Sequence, residues 1–360
     1  MKTVYIISTD YYAGKGWISL VLLRKLKNRG VNVGYFHPIG TLPKMVKNLL
    51  IDEVAMYIKQ TVPLGNVEEC LLSPVVLTPE LTETACLDVE NVRRKFASQI
   101  VESYNKLRGI YEFLIVSSSG SLFTTGANFN LSAPEIANLL SIDHIVVISK
   151  YSAEMLDSVL SAKKILKEYM KGVVINTIPN NRIEFVKEKI IPYLEREKIN
   201  VLGAIPYDCI LASTSVRELK ESLEAEVLCA VDKIDNLVKN FCIGAMYPEA
   251  ALKYFRQIPD KAVITGGDRT DIQLAALETS TVCLILTGNI YPSATVVSKA
   301  ESLGVPLMVV KNDTFSIIEK IETMLGKLPV QGERKIKRAE EVFDKYFNFD
   351  KFLSLLSNKC

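Results

Sequence analysis

Short apolar runs rich in Val and Ile recur along the chain, at 3–7, 32–36, 113–117, 144–149, 172–176 and 199–204. Stretches of helical period lie between them, at 17–29, 90–107, 132–140, 152–169 and 182–196. Runs this apolar suit parallel strands covered on both faces, with the helices as right-handed crossovers. The pattern predicts a doubly wound, mostly parallel α/β sheet. After Ala212 a charged helix over 214–226 interrupts it, and a second cycle begins. Its strands fall near 240–244, 261–264, 282–286 and 306–310, and its helices near 248–255, 270–278, 293–303 and 313–325. This predicts a second, smaller α/β domain. Leu328-Pro329-Val330-Gln331-Gly332 breaks the helical pattern, and a final helix is expected over 333–355. Its apolar positions, Ile336, Ala339, Val342, Phe343, Phe347, Phe352 and Leu356, form a stripe suited to a core or a partner subunit. The expected division is 1–212, 213–330 and a C-terminal helical tail over 331–360.

Composition narrows the class. The 360 residues are 48% hydrophobic and 23% charged, which supports sizeable cores and excludes a disordered chain. No apolar run is long enough for a membrane span, and the N-terminus goes straight into a strand pattern without a secretory signal. Forty-three basic against 41 acidic residues give +2, too balanced for a nucleic-acid binder. The basic run Arg334–Arg338 is flanked by Glu333 and Glu340-Glu341 and reads as a solvated helix face. Seven cysteines without C-x-x-C spacing read as reduced, mostly buried residues of a cytoplasmic protein. With only His37 and His144, histidine-based metal chemistry is not expected, and no metal site is assigned.

The first chemical signal is Ser8-Thr9-Asp10-Tyr11-Tyr12-Ala13-Gly14-Lys15-Gly16, between the first strand and the first helix. Gly-Lys in that setting suits a phosphate-binding loop, where backbone N–H groups and a helix N-terminus cradle phosphate and the lysine reaches its oxygens. Ser8 stands in place of the first glycine, and Gly16 in place of the hydroxyl residue that holds Mg²⁺. Ser117-Ser118-Ser119 has no histidine partner nearby in sequence, which argues against a serine hydrolase.

With Gly34-Tyr35-Phe36-His37-Pro38, Ser73-Pro74-Val75-Val76-Leu77-Thr78, Val116-Ser117-Ser118-Ser119-Gly120, Gly172–Asn176 and Leu202–Asp208 added, the chain resembles a known family. It is similar to the dethiobiotin-synthetase-like, P-loop domain found at the N-terminus of some phosphotransacetylases and in stand-alone proteins. Ile264-Thr265-Gly266-Gly267-Asp268-Arg269-Thr270-Asp271 resembles the DRTGG domain that follows it in the same proteins. The resemblance covers about residues 1–325. It implies that Asp10, Gly14, Lys15 and Gly16 lie on the phosphate and metal loop, and that Asn176 lies where relatives contact the base. It also shows losses: His37-Pro38 replaces a substrate-binding Lys-Pro pair, and Ser117-Ser118 replaces a Glu-Gly that serves the metal.

Alternatives stay open at several of these residues. Asp10 fits either a metal ligand or a turn aspartate bonded to its own backbone. Asn176 fits either base recognition or a strand end. His37 fits either a substitute for the lysine or a loop residue, and His144 reads as structural. In the second domain Gly266 and Gly267 leave the backbone open, Asp268 is suited to cap the following helix, and Arg269 is poorly placed for the dipole unless an acid or phosphate lies nearby. Thr270 belongs to the same signature, while Thr287 and Asp313 follow strands, where an open sheet presents its crevice, and fit equally an ordinary turn and an N-cap.

The expected function is a regulatory or ligand-sensing protein with a degenerate nucleotide site, resembling the regulatory part of phosphotransacetylases. The alternative is an ATP-dependent carboxylate ligase of the dethiobiotin synthetase type. No catalytic residue is assigned, and phosphate acetyltransferase activity is not expected, since the acetyl-transferring domain of those enzymes lies beyond this length. The ligand expected is ATP, another adenine nucleotide or a related anion, with Mg²⁺ in doubt. The more intact signature places the favoured ligand site at Gly266–Thr270, and the apolar last helix suggests a homo-oligomer, most simply a dimer.

Overall fold

The computed structural model describes residues 2–46, 49–324 and 331–357. The chain divides into two compact units, Met1–Tyr207 with Leu328–Cys360, and Asp208–Lys327.

The first unit opens with β1 (Lys2–Ser8), α1 (Lys15–Asn28) and β2 (Val33–Phe36). A run of short elements follows: β3 (Ile39–Gly40), β4 (Pro43–Val46), β5 (Leu49–Asp52), α2 (Glu53–Thr61), α3 (Glu69–Leu72), β6 (Val75–Val76) and α4 (Pro79–Ala85). Regular alternation resumes with α5 (Val89–Ile110), β7 (Phe113–Ser117), α6 (Ala133–Leu139), β8 (Ile145–Lys150), α7 (Met155–Leu166) and β9 (Met170–Ile178). A further helix is split into α8 (Ile183–Phe185), a π turn (Val186–Ile190) and α9 (Ile191–Arg196), and β10 (Val201–Pro206) ends the run. The six long strands form one parallel sheet in the order β10-β9-β8-β1-β7-β2. Their side chains are almost all buried, as double-sided coverage requires. All loops that follow β1, β2, β7, β8 and β9 therefore leave from one edge.

The second unit contains β11 (Thr214–Ser215), α10 (Val216–Leu223), β12 (Glu226–Cys229), β13 (Leu237–Val238), β14 (Asn240–Ile243), α11 (Pro248–Phe255) and β15 (Lys261–Gly266). It continues through α12 (Thr270–Leu277), β16 (Thr281–Thr287), α13 (Ala294–Leu303), β17 (Leu307–Val309) and α14 (Thr314–Met324). Its five-stranded sheet runs β12-β17-β16-β15-β14, parallel except for the antiparallel edge strand β12. Phe255, Val263, Ile272, Ala276, Leu284, Leu286, Val296 and Leu307 belong to a core of its own.

The last helix differs from expectation. It is two helices, α15 (Glu333–Tyr346) and α16 (Phe349–Ser357), broken where Phe347 bridges to Gly203 on β10 and Asn348 N–H donates to the Leu202 carbonyl at 2.7 Å. Both helices pack on the first unit. Arg24 Nε donates to Glu340 at 2.6 Å, Lys25 Nζ to Asp344 at 2.6 Å, and the Arg29 guanidinium lies 4.5 Å from the Phe349 ring. Phe343, Phe347 and Phe352 are buried there. The stripe that suggested a partner subunit is thus covered by the same chain. The expected break at Leu328–Val330 lies outside the described residues. Cysteines are less buried than expected: Cys229, Cys242 and Cys283 are, but Cys70, Cys86 and Cys209 are exposed, and Cys360 lies outside the described residues. Among the described residues no helix is long and apolar enough to cross a membrane.

Candidate anion-binding site

Residues 9–14 link β1 to α1. Gly14 is the N-cap with φ 99°, and a Cβ there would run into the Asn176 amide and lie 2.7 Å from the Trp17 indole nitrogen. Only glycine fits both demands. Tyr12 also takes a left-handed φ of 56°, unusual for a bulky residue. α1 has no side-chain cap and no acid in its first turn, so its free N–H groups and the positive end of its dipole are presented to the loop.

Lys15, the first residue of α1, is buried. Its Nζ donates to Ser8 Oγ at 2.5 Å and to the Gly120 carbonyl at 2.5 Å. Burial brings its ammonium down to about 7, against the opposing pull of the Asp10 carboxylate. A neutral amine has two N–H groups, one for each of these acceptors; an ammonium has a third to give. The Ser8 hydroxyl also lies 2.7 Å from the Asp10 carbonyl and 3.0 Å from that of Gly120. Leu122 N–H donates to the Ser8 carbonyl at 2.8 Å, Ser121 Oγ to the Thr9 carbonyl at 2.8 Å, and the Tyr11 hydroxyl meets Thr124 Oγ1 at 2.9 Å. The segment after β7 is laced to the loop, and its Gly120 carbonyl occupies one N–H of Lys15.

The other loop residues predicted from sequence gather around Lys15. Asp10 Oδ2 accepts from Thr9 Oγ1 at 2.6 Å and from Lys150 N–H at 3.2 Å, the bonding of a turn residue tied to the end of β8. Asn176 Nδ2 donates to the Ala13 carbonyl at 2.8 Å, and its Oδ1 accepts from Thr177 N–H at 2.9 Å. It buttresses the loop from the end of β9.

Mg²⁺ ordinarily completes a P-loop site, bridging phosphate oxygens to a Ser/Thr hydroxyl and a carboxylate. The residues present do not fit it. Gly16 offers no donor, Ser117 is buried and uncharged, and the Ser118 hydroxyl is buried, uncharged and without a hydrogen-bond partner. Among the described residues no group of three His, Cys, Asp or Glu could hold a metal ion.

Beside the loop lies a cluster that sequence reasoning missed. β2 and β7 are neighbours, with Phe36 opposite Val116, so His37 falls against the serine triplet. His37 Nδ1 lies 2.8 Å from the Ser117 carbonyl, which fixes a hydrogen on that nitrogen, and Nε2 lies 2.9 Å from Ser119 Oγ and 3.9 Å from Asp52 Oδ1. Ser119 Oγ also donates to the Ile39 carbonyl at 2.6 Å. Burial pushes the imidazole down, against the pull of Asp52. Asp52 is fully buried and accepts four backbone N–H groups, from Thr41, Leu42, Val54 and Ala55. The serine triplet does have a histidine partner, contrary to expectation. Yet Ser119 and Asp52 meet the same ring nitrogen, so the relay of a serine hydrolase is absent. The Asp52-Glu53 start of a helix, an N-cap signal, could have revealed this carboxylate.

In the second unit, Gly266 to Thr270 link β15 to α12. A Cβ on Gly267 would collide with the Ile290 carbonyl, so its open side is filled by the loop after β16. Gln273 Nε2 staples the turn, donating to the Gly266 and Gly267 carbonyls at 2.9 and 3.0 Å. Asp268 does not cap α12: the N-cap is Arg269, without a side-chain bond, because the chain turns into the helix one residue later. Arg269 pairs with Asp271, Nε to Oδ1 at 3.1 Å, and donates to the Met246 carbonyl at 3.1 Å. That supplies the acid its position called for. Thr287 Oγ1 lies 2.8 Å from Thr314 Oγ1, and Asp313 caps α14 through Phe315 and Ser316 N–H. Thr270 is the first residue of α12.

Comparison with known proteins finds two family matches along the chain. A family model described as AAA domain matches residues 2–240, more than half of the chain. The chain belongs to the AAA domain family. A second match, DRTGG domain, covers residues 218–324. The AAA domain here is P-loop and dethiobiotin-synthetase-like, and the DRTGG domain follows it. The phosphate acetyltransferase of Nitratidesulfovibrio vulgaris is 30% identical over 387 residues, covering 99% of this chain and 52% of that protein. The chain thus spans about half the length of the curated phosphate acetyltransferases it matches first. The ATP-dependent dethiobiotin synthetase of Methanocaldococcus jannaschii is 25% identical over 214 residues, covering 56% of this chain and 92% of that one. In sequence and domain order the protein is phosphotransacetylase-like. Among solved structures, the CBS and DRTGG domains of a Clostridium perfringens pyrophosphatase, complexed with diadenosine tetraphosphate, align at a TM-score of 0.29 and 19% identity, over 43% of this chain and 74% of that one. MinD of Pyrococcus horikoshii with Mg-ADP aligns at 0.36 and 16% identity, over 58% and 83%.

Proposed function

We propose that this chain is a regulatory or ligand-sensing protein whose AAA domain keeps an anion site and has lost ATP-driven chemistry. The observation that carries this reading is Lys15, buried and bonded to Ser8 Oγ and the Gly120 carbonyl, on a loop where Gly16, Ser117 and Ser118 stand at the metal-serving positions. Without a metal the phosphate charge developed by a carboxylate ligase is left to Lys15 and the α1 N-terminus, and His37 is committed to Ser117 and Ser119 instead of a substrate. The anion site is Asp10, Gly14, Lys15, Gly16 and Asn176, and the ligand is a nucleotide or another phosphate-bearing molecule.

The turn at Gly266, Gly267, Asp268 and Arg269 has less support as a ligand site. Its guanidinium is paired and its glycine face is filled. Thermal-shift titration with ATP, ADP and inorganic phosphate tests the ranking. Lys15→Ala is expected to abolish the ligand-induced rise in melting temperature, and Arg269→Ala to keep it. The reverse pattern would move the site to the DRTGG domain. ADP release that depends on Lys15, over a panel of carboxylates and amines, would restore the ligase reading.

A further inference from the structure

We propose that the AAA domain binds its ligand as a metal-free phosphate or nucleotide, balancing the anion with Lys15 and the α1 N-terminus alone. The proposal rests on the anion-site reading above and adds to it the ionic form of the ligand. Three observations carry it.

The first is the donor set. A magnesium ion held at a P-loop takes one protein hydroxyl and keeps its remaining shell in place with carboxylates, directly or through water. Gly16 has no side chain, Asp10 is the single carboxylate on the loop and already accepts from Thr9 Oγ1 and Lys150 N–H, and Asp52 in the neighbouring cluster is taken up by four backbone N–H groups. Mg²⁺ would arrive with two charges and meet no site built to receive them.

The second is what the loop does offer. Lys15 has neutral partners, Ser8 Oγ and the Gly120 carbonyl, and its third ammonium hydrogen is available once it is protonated. A phosphate oxygen can displace the Gly120 carbonyl and take that hydrogen too. The α1 N-terminus adds N–H groups that no side chain caps. A phosphate with Mg²⁺ already on it has spent the charge that this arrangement attracts.

The third is the Ser118 hydroxyl, buried at the end of β7 with no hydrogen-bond partner. The hydroxyl is enclosed and uncharged, so the end of β7 offers a cation neither a reachable ligand nor a charge.

The test uses the full chain and its single tryptophan. Trp17 lies in the first turn of α1 beside Gly14, so its fluorescence reports on the loop. ATP, ADP and inorganic phosphate are titrated by fluorescence and calorimetry, once in EDTA and once in excess Mg²⁺. The expected result is a Trp17 response with binding at least as tight in EDTA as in Mg²⁺, lost in Lys15→Ala, whose thermal melt shows it folded. The three titrants distinguish recognition of phosphate alone from recognition of a nucleotide. Tightening by Mg²⁺ of about tenfold or more would overturn the metal-free inference and leave the anion site standing. No binding under either condition, or calorimetric binding without a Trp17 response, would overturn the anion site and this inference together. If Lys15→Ala is unfolded, Lys15→Met replaces it, and undiminished affinity in that variant would overturn the proposal.

Discussion

At Lys15 one side chain sets both the affinity and its dependence on pH. The folded protein holds this amine near 7 and the unfolded chain near 10.5, so between those values the unfolded state binds one more proton. Stability therefore rises with pH across that window, by about 1.4 kcal/mol per unit from this residue, and the gain is absent below it. Lys15→Met should flatten that part of the stability profile, read by urea unfolding at a series of pH values. Ligand binding should show the opposite trend. An anion prefers the ammonium, so affinity for ADP should fall toward tenfold per pH unit above about 7 in the wild type. Calorimetry in buffers of different ionisation enthalpy should then reveal uptake of a proton. Asp52 is the second residue with a sharp expectation. Asp52→Ala strands four N–H groups and uncaps α2, and should cost on the order of 2–4 kcal/mol by urea unfolding. The place of the loop was legible because an apolar strand run ends just before it and a helical period begins just after it. The roles of Ser8, Gly120 and Ser119 were not, since each depends on a partner about a hundred residues away or on the neighbouring strand.

The legible elements are those whose pattern exceeds one period. The long parallel strands of both sheets read directly from their apolar runs, and α1, α5 and α7 from their helical spacing. The stretch from 39 to 88 was silent because β3 and β6 have two residues each, β4 and the start of β5 are exposed and carry no buried apolar run, and α3 has only four residues. Strand β12 was missed too, since an exposed edge strand of Glu226-Val227-Leu228-Cys229 looks like the end of a helix. Neither Gly nor Pro lies between α15 and α16, but Asn348 does, and its Oδ1 caps α16 by accepting from Lys351 N–H at 2.9 Å. The break is also held by β10, where Gly203 lets the chain cross: a Cβ at Gly203 would lie 3.0 Å from the Tyr346 carbonyl and 3.4 Å from the Phe347 ring. Gly203→Ala should be felt weakly, while Gly203→Val should lift the crossing off the strand and cost about 1–3 kcal/mol. Hydrogen exchange would show the loss as faster exchange at Asn348 and through α16. Removing residues from Gly332 onward should have a larger effect of the same kind, exposing the apolar surface of α1 and β10 to solvent. The variant should aggregate, where a tail that served only to join two copies would leave a stable monomer.

For the whole molecule, connectivity decides which pieces can stand alone. The chain leaves the first unit after Tyr207 and returns to it for α15 and α16, so the second unit is an insertion with two attachments. Residues 1–212 by themselves lack the helices that cover α1, and should not give a cooperative melt. A chain in which a short flexible linker replaces residues 208–330 should melt cooperatively, and residues 208–327 should do so alone on the strength of their own core. The same arrangement makes the second unit a side branch of the load path. When tension is applied between residues 2 and 357 with optical tweezers, both handles grip the first unit, and the inserted unit carries no force while α15 holds α1 through Arg24–Glu340 and Lys25–Asp344. Only after that grip ruptures do the two units come into series. The first break should therefore always be the peeling of α15 and α16, with the inserted unit unravelling later, however weak it is, because a shielded element cannot yield before its shield.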